Sequence, residues 1–194
     1  MPAQQQAPVA ARTMPEFCAL AGLGDDAKAL LRPEHGPRAF VGVLTEQNQH
    51  PDAVRFIAHA LPKREAIWWA WVCARRASGE SPAPQIAAAL AATEKWVTQP
   101  TDDNRRAAMK AAEAATFATP AGCTALAVFL SGGSLGPPDT PPVPPGELMT
   151  AKAVAGAVIA SAVHSEPEKA PDKFRAFVAQ GLDVVDKLKL WGPQ

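Results

Sequence analysis

The chain has 194 residues, 47% of them hydrophobic, which is enough for one full-sized core. Lys plus Arg and Asp plus Glu each number 19, so the net charge is zero and no global field draws in nucleic acid. The three cysteines, Cys18, Cys73 and Cys123, are far apart and form no CxxC, a pattern that excludes a disulfide framework and a zinc knuckle and fits a reducing compartment.

The opening "MPAQQQAPVAARTMPE" has no basic start followed by an apolar run, so it does not read as a secretory signal, and a cytoplasmic protein is expected. Residues 1–12 carry too little apolar surface to offset the entropy of ordering and read as a disordered tail. Alanine makes up about a fifth of the chain and tyrosine is absent, so helix propensity dominates the rest. The expected fold is all-α, a single domain over 13–190.

Proline and glycine punctuate a series of short helices. "MPEFCALAGL" comes first, then "DDAKALL", "PRAFVGVLTEQN" and "HPDAVRFIAHAL". Proline recurs at their starts because a first-turn residue needs no N–H partner. "PKREAIWWAWVCARRAS" (62–78) is the strongest helix, with Arg75 and Arg76 at the negative end of its dipole and Gly79 beyond. Next are "PAPQIAAALAATEKWV" and "TDDNRRAAMKAAEAATF", the latter with Thr101 as N-cap. "PAGCTALAVFLS" runs into a connector over 132–146, and "TAKAVAGAVIASAV" and "PDKFRAFVAQGLDVVDKLKL" close the chain. The window 151–163 is far short of the 18 to 20 residues or so that cross a bilayer, so it predicts a buried helix and no membrane insertion. The sum is about eight helices, in an irregular antiparallel bundle or a short α-solenoid.

The connector "SGGSLGPPDTPPVPP" invites a phosphate-loop reading, but it lacks the terminal Lys and Ser/Thr and follows a helix, not a strand. Gly132 and Gly133 are expected to stop the preceding helix with positive φ. The proline run is expected to be a strap of about 28 Å lying against the helical body, at about 3.1 Å per residue. Its spacings, Pro138 to Pro141 and Pro142 to Pro145 with Pro144 between, also suit a docking ligand, although Asp139 is the wrong charge for an SH3-type reader.

Trp68, Trp69 and Trp71 cover a wide arc of one helix and read as a core hub or a partner hot spot, with Trp69 expected to reach the surface. Glu65, beside Lys63 and Arg64, reads as a first-turn dipole partner. The basic pairs Lys63 with Arg64, Arg75 with Arg76 and Arg105 with Arg106 read as solvated helix surfaces. The histidines never stand at i,i+3 or i,i+4 to one another or to a cysteine, so no metal ligand set, cofactor site or nucleophile motif is expected.

The strings "LPKREAIWWAWVCARRA", "TPAGCTALAVFLSGGSLGPPDTPPVPP" and "TAKAVAGAVIASAV" resemble a family of uncharacterised bacterial proteins over about residues 14–165. The resemblance implies no catalytic residues; some members are encoded near secretion-system components. The expected function is a non-enzymatic scaffold or accessory protein binding a protein partner. A small-ligand binder or enzyme built around Arg64, Glu65, Trp68 and His59 is the alternative. Zero net charge and an alanine-rich surface permit self-association.

Overall fold

The computed structural model describes residues 12–191, and residues 1–11 of the expected tail lie outside the described residues. Ten α-helices follow one another: α1 (Met14–Leu20), α2 (Asp25–Ala29), α3 (Pro37–Glu46), α4 (His50–Ala60), α5 (Lys63–Ala77), α6 (Pro84–Thr98), α7 (Asp102–Ala115), α8 (Pro120–Phe129), α9 (Met149–Val163) and α10 (Ala170–Lys187). A 3-10 turn, Pro167–Lys169, precedes the last. No strand occurs among the described residues, and the fold is an all-α bundle. Each of the ten falls on a segment that the sequence marks as helical, so the sum of about eight undercounts them.

Local chemistry sets the ends. Proline stands in the first turn of α1, α3, α4, α6, α8 and α10. Thr101 accepts from the Asn104 N–H at 3.2 Å and Thr119 from the Gly122 N–H at 3.1 Å, so α7 and α8 begin on side-chain caps. Pro62 is the N-cap of α5, one residue outside the helix that the sequence predicts it to open.

Packing is antiparallel between neighbours. Arg64 at the start of α5 reaches the Val97 carbonyl at the end of α6, and Trp71 Nε1 donates to the Leu90 carbonyl at 3.0 Å farther along the same pair. Thr150 Oγ1, at the start of α9, donates to the Leu130 carbonyl just past the end of α8 at 2.8 Å. Helix α9 touches α4, α5, α8 and α10, while α5 touches α6, α8, α9 and α10. In a solenoid each unit meets only its neighbours, so this is a bundle.

The core is one contiguous cluster from Phe17 to Val185. At one pole Phe56 packs edge to face with Phe17, Phe40 and Trp191 at centroid distances of 4.8, 5.7 and 6.0 Å. Toward the middle alanine takes over, with Ala66, Ala70 and Ala74 of α5 and Ala151, Ala155, Ala157 and Ala162 of α9 all buried. Small side chains let these helices approach closely. Gly181 of α10 carries this furthest: a Cβ there would stand 2.9 Å from Ile57 Cγ2 and from Trp69 Cζ2.

The proline segment departs from the expected strap. Leu135 N–H donates to the Val143 carbonyl at 2.8 Å, and Ser134 Oγ accepts from the N–H groups of Gly136 and Val143 at 3.1 and 3.0 Å. Inside that closure Thr140 turns back onto the Pro137 carbonyl. The chain is therefore a closed loop, and Pro137, Pro138, Pro141, Pro142, Val143 and Pro144 are exposed, not laid against the helices. Extended proline geometry is interrupted at Asp139–Thr140, where neither residue is proline and a turn is free to form. Of the two glycines only Gly133 has positive φ, at 64°.

Candidate interaction surface

The loop is built on an ion cluster at the N-terminus of α7. In "TDDNRR" the spacings i,i+3 and i,i+4 bring Arg105 and Arg106 onto Asp102, each with its Nε 2.8 Å from a different carboxylate oxygen. The hydrogen bond from Arg106, joined by that from Arg105, holds the Asp102 carboxyl below its ordinary range. So oriented, the two guanidiniums point across to the end of α8. Arg105 donates to the carbonyls of Phe129 (2.8 Å) and Ser134 (3.0 Å) and lies over the Phe129 ring at 4.8 Å. Arg106 donates to the Gly136 carbonyl at 3.0 Å.

Lys63, from the first turn of α5, donates to the Ser131 carbonyl at 3.0 Å. Burial pulls its pKa below the usual lysine value, against the opposing field of Glu147. Four side chains from three helices, Lys63, Arg105, Arg106 and Thr150, thus satisfy carbonyls at and beyond the C-terminus of α8, where the helix dipole is negative. The expectation that Lys63, Arg105 and Arg106 are solvated surface charges is corrected for this cluster. Arg105 is only 3% exposed. Its signal in the sequence was the Asp-x-x-Arg-Arg spacing at a helix start, followed by a glycine-rich helix exit that leaves carbonyls without partners.

Gly133 completes the fit. A Cβ on it would stand 2.8 Å from Nη2 and 2.9 Å from Cζ of Arg105. The backbone here passes against the face of the guanidinium that holds it.

The tryptophan helix sorts its side chains in the opposite way to the sequence expectation. Trp69 is fully buried, its Nε1 donating to the Phe177 carbonyl at 2.9 Å, and Trp68 is the exposed one, at 41%. Trp71 is half-buried with Arg75 over its ring at 5.3 Å. The reason is that α5 is covered by α8, α9 and α10 on the arc of Ala66, Ile67, Trp69, Ala70, Cys73 and Ala74, which leaves Trp68 diametrically outside. Burial raises the thiol pKa values of Cys18, Cys73 and Cys123.

Arg64 is exposed and bonded to the Val97 carbonyl at 2.7 Å, so it caps α6. Glu65 is half-buried in the first turn of α5 and has no hydrogen bond or ion pair among the described residues. His59 is buried, with Nδ1 2.8 Å from the Arg55 carbonyl. A groove of about 940 Å³ runs along the outer side of α5 and α6, lined by Trp71, Val72, Ala87, Leu90 and Ala91 together with two arginines, Arg75 and Arg76, and two acids, Glu80 and Glu94. A smaller hollow of about 350 Å³ lies among Arg76, Ser165, Glu166, Lys169, Lys173 and Phe177. Neither is lined by Arg64, Glu65, Trp68 or His59. Among the described residues no three His, Cys, Asp or Glu side chains gather as metal ligands, and no helix is long and apolar enough to cross a membrane.

Residues 40–185 match a family of unknown function (DUF6931), a span that takes in all of α4 to α9, the loop and most of α3 and α10. No curated protein and no solved structure matches the chain.

Proposed function

Since the chain belongs to that family of unknown function, we propose that it is a non-enzymatic helical scaffold or accessory protein that binds a protein partner through its proline loop. The observation that carries this is the contrast between the loop and its support. A nearly buried arginine, a second arginine and a lysine hold the loop in place, while its prolines and the 54% exposed Val143 face outward. Proline has little conformational freedom to lose, and a loop already closed by three backbone and serine bonds loses less still, so binding is favoured by preorganisation.

The partner chemistry that fits is an apolar groove with aromatic walls that reads the spacing of Pro138, Pro141, Pro142 and Pro144, and a cation for Asp139. Trp68 offers a second contact point on another face. The resemblance to bacterial proteins encoded near secretion-system components supports a cytoplasmic accessory role in such an assembly, on neighbourhood grounds alone.

The test is a comparative pull-down from the native bacterium. Tagged wild type is set beside a chain in which Pro138, Pro141, Pro142 and Pro144 are all alanine, with recovered proteins quantified by mass spectrometry. A partner recovered near stoichiometry by wild type and lost with the loop variant, at unchanged helix content and melting temperature, is the expected result. Equal recovery by both chains, or a metabolite co-purifying at stoichiometry in place of a protein, would refute the proposal.

A further inference from the structure

The outer face of α5 and α6 carries its charges in an order that a second copy of the same face would match. Two hydrogen bonds set the helices in register, Arg64 to the Val97 carbonyl and Trp71 to the Leu90 carbonyl. Because the helices run in opposite directions, Glu94 stands one turn to one side of the Trp71–Leu90 level and Arg75 one turn to the other, about 6 Å each way. Both line the groove, yet neither forms an ion pair among the described residues. Between them the lining is apolar, and the exposed Ala87 and Ala91 leave room for another chain to come close. Trp68 lies outside the lining, exposed on the outward arc of α5 about 20° from Arg75 and about 40° from Val72.

From this layout we infer that two copies pair face to face through α5 and α6, about a two-fold axis that lies in the contact and crosses both helices at the Trp71–Leu90 level. The inference is independent of the loop's binding role. The two-fold reverses helix direction, so each Arg75 comes opposite Glu94 of the other copy, and each Trp68 comes opposite the Ala87 end of the other groove, beside an arginine for its ring face. Glu80, just past the end of α5, falls near Arg64 of the other copy, which matches the second acid. Arg76 stands 100° round the helix from Arg75, at the edge shared with the hollow beside Phe177. Two acids beside two arginines suit no ligand of single charge, but a face that binds its own copy must carry both signs. Zero net charge removes the long-range repulsion that keeps like molecules apart. A face two helices wide, about 20 Å, and about 22 Å long covers roughly 440 Å² on each copy. That is below the roughly 1,200 Å² total of a stable interface, so Kd belongs in the micromolar to millimolar range.

Sedimentation velocity on the full chain, from about 10 µM to about 1 mM, should show weight-average mass rising toward that of two chains and stopping there, because an isologous contact closes on itself. Charge exchange tests the register. Arg75→Glu alone and Glu94→Arg alone each set like charges opposite one another and should raise Kd about tenfold or more. An equal mixture of these two variants, and a single chain carrying both substitutions, should pair as wild type does. Trp68→Ala should weaken pairing about tenfold at unchanged helix content, and replacing the loop prolines should leave it unchanged, which keeps this inference separable from the loop's role. Wild type that stays monomeric at about 1 mM overturns the inference, as does mass that grows past two chains. Single variants that pair like wild type overturn it too. So does a mixture and a doubly substituted chain that both fail to regain pairing at wild-type helix content, or a monomeric wild type whose α5–α6 face captures a different protein.

Discussion

Gly133 and Arg105 meet so closely that the guanidinium lies where the side chain of any other residue at position 133 would begin, 2.8 Å from the missing Cβ. Position 133 also has φ of 64°, the left-handed region that costs an L-residue about 1 kcal/mol or more. A Cβ meeting the end of a free arginine would merely push it aside. This one is bonded to two carbonyls and a carboxylate and has nowhere equivalent to go. Gly133→Ala should therefore cost about 2 to 3 kcal/mol by urea denaturation and speed proteolytic cutting within 134–146. Unchanged stability with unchanged cutting would show that Arg105 does not hold the loop.

Removing the arginine itself separates charge from geometry. Arg105→Ala leaves two carbonyls without their donor and should destabilise the chain by about 3 kcal/mol, while Arg105→Lys keeps the charge but loses the planar fork and should recover less than half of that. Arg106→Ala, at a more exposed position, should cost under about 1 kcal/mol. Hydrogen exchange at the Leu135 and Val143 amides is the local readout, since these close the loop.

Acid should act in two stages. His50 is buried with its ring stacked 5.5 Å from that of Phe174, and neither ring nitrogen has a partner among the described residues; burial, then the charge of Arg175, lowers its pKa. His59 is lowered by burial first, against its bond to the Arg55 carbonyl. With folded pKa values below the unfolded value of about 6.5, the unfolded chain binds protons that the folded chain refuses, so stability is full above that pH and falls below it. Asp102, also lowered, contributes only above its unfolded pKa of about 4, so its share is lost as pH drops further through its folded value, and its exposure keeps that share small. Urea midpoints from pH 8 to pH 3 should show both limbs, and replacing His50 and His59 with phenylalanine should flatten the first alone. A first limb unchanged in that variant would assign it elsewhere.

At Gly181 helix propensity and packing pull in opposite directions. Alanine in mid-helix gains about 1 kcal/mol over glycine, yet its Cβ would stand 2.9 Å from Ile57 and Trp69, both fully buried. Overpacking of this kind costs about 1 to 3 kcal/mol, so Gly181→Ala should be net destabilising by calorimetry. A higher melting temperature would mean that α10 stands farther from α5 than described.

The two adjacent tryptophans should differ sharply. Trp69→Ala removes a buried ring and its bond to Phe177 and should cost about 3 to 5 kcal/mol, whereas Trp68→Ala should change stability by under about 1 kcal/mol. Iodide quenching of intrinsic fluorescence should fall in the Trp68 variant, because the most exposed indole is gone.

How far the sequence reveals this structure depends on what alanine hides. The helices are legible because proline marks so many of their starts, and their boundaries agree within a few residues. The orientation of α5 is not, because large apolar residues lie on both sides of it. Weight given to Trp68 and Trp71 puts the core on the wrong side. The informative residues were Ala66, Ala70 and Ala74, whose small size marks the face where neighbouring helices come closest, a signal that a hydrophobicity pattern dominated by tryptophan overwhelms. The Arg105 cluster was hidden for another reason. A basic pair beside acids looks like a solvated helix end, and only the three-dimensional meeting of α7 with the exit of α8 supplies the carbonyls that bury it. Proline counts alone could not tell strap from closed loop, since the closing bonds come from Ser134, Leu135 and Val143.

The bond from Thr150 to the Leu130 carbonyl joins the two points at which the chain leaves and re-enters the bundle. Everything between them is an excursion that begins and ends at one place, and the helices on either side need nothing from its middle to find each other. Lengthening such an excursion costs only about 0.6 kcal/mol per doubling. Residues 137–142 can therefore be exchanged for another sequence, longer or shorter, while Ser134 to Gly136, the backbone of Val143 and the cations of α5 and α7 keep the mounting intact. The bundle is in that sense a handle with an interchangeable tip, open to variation in what it displays without renegotiating how it folds.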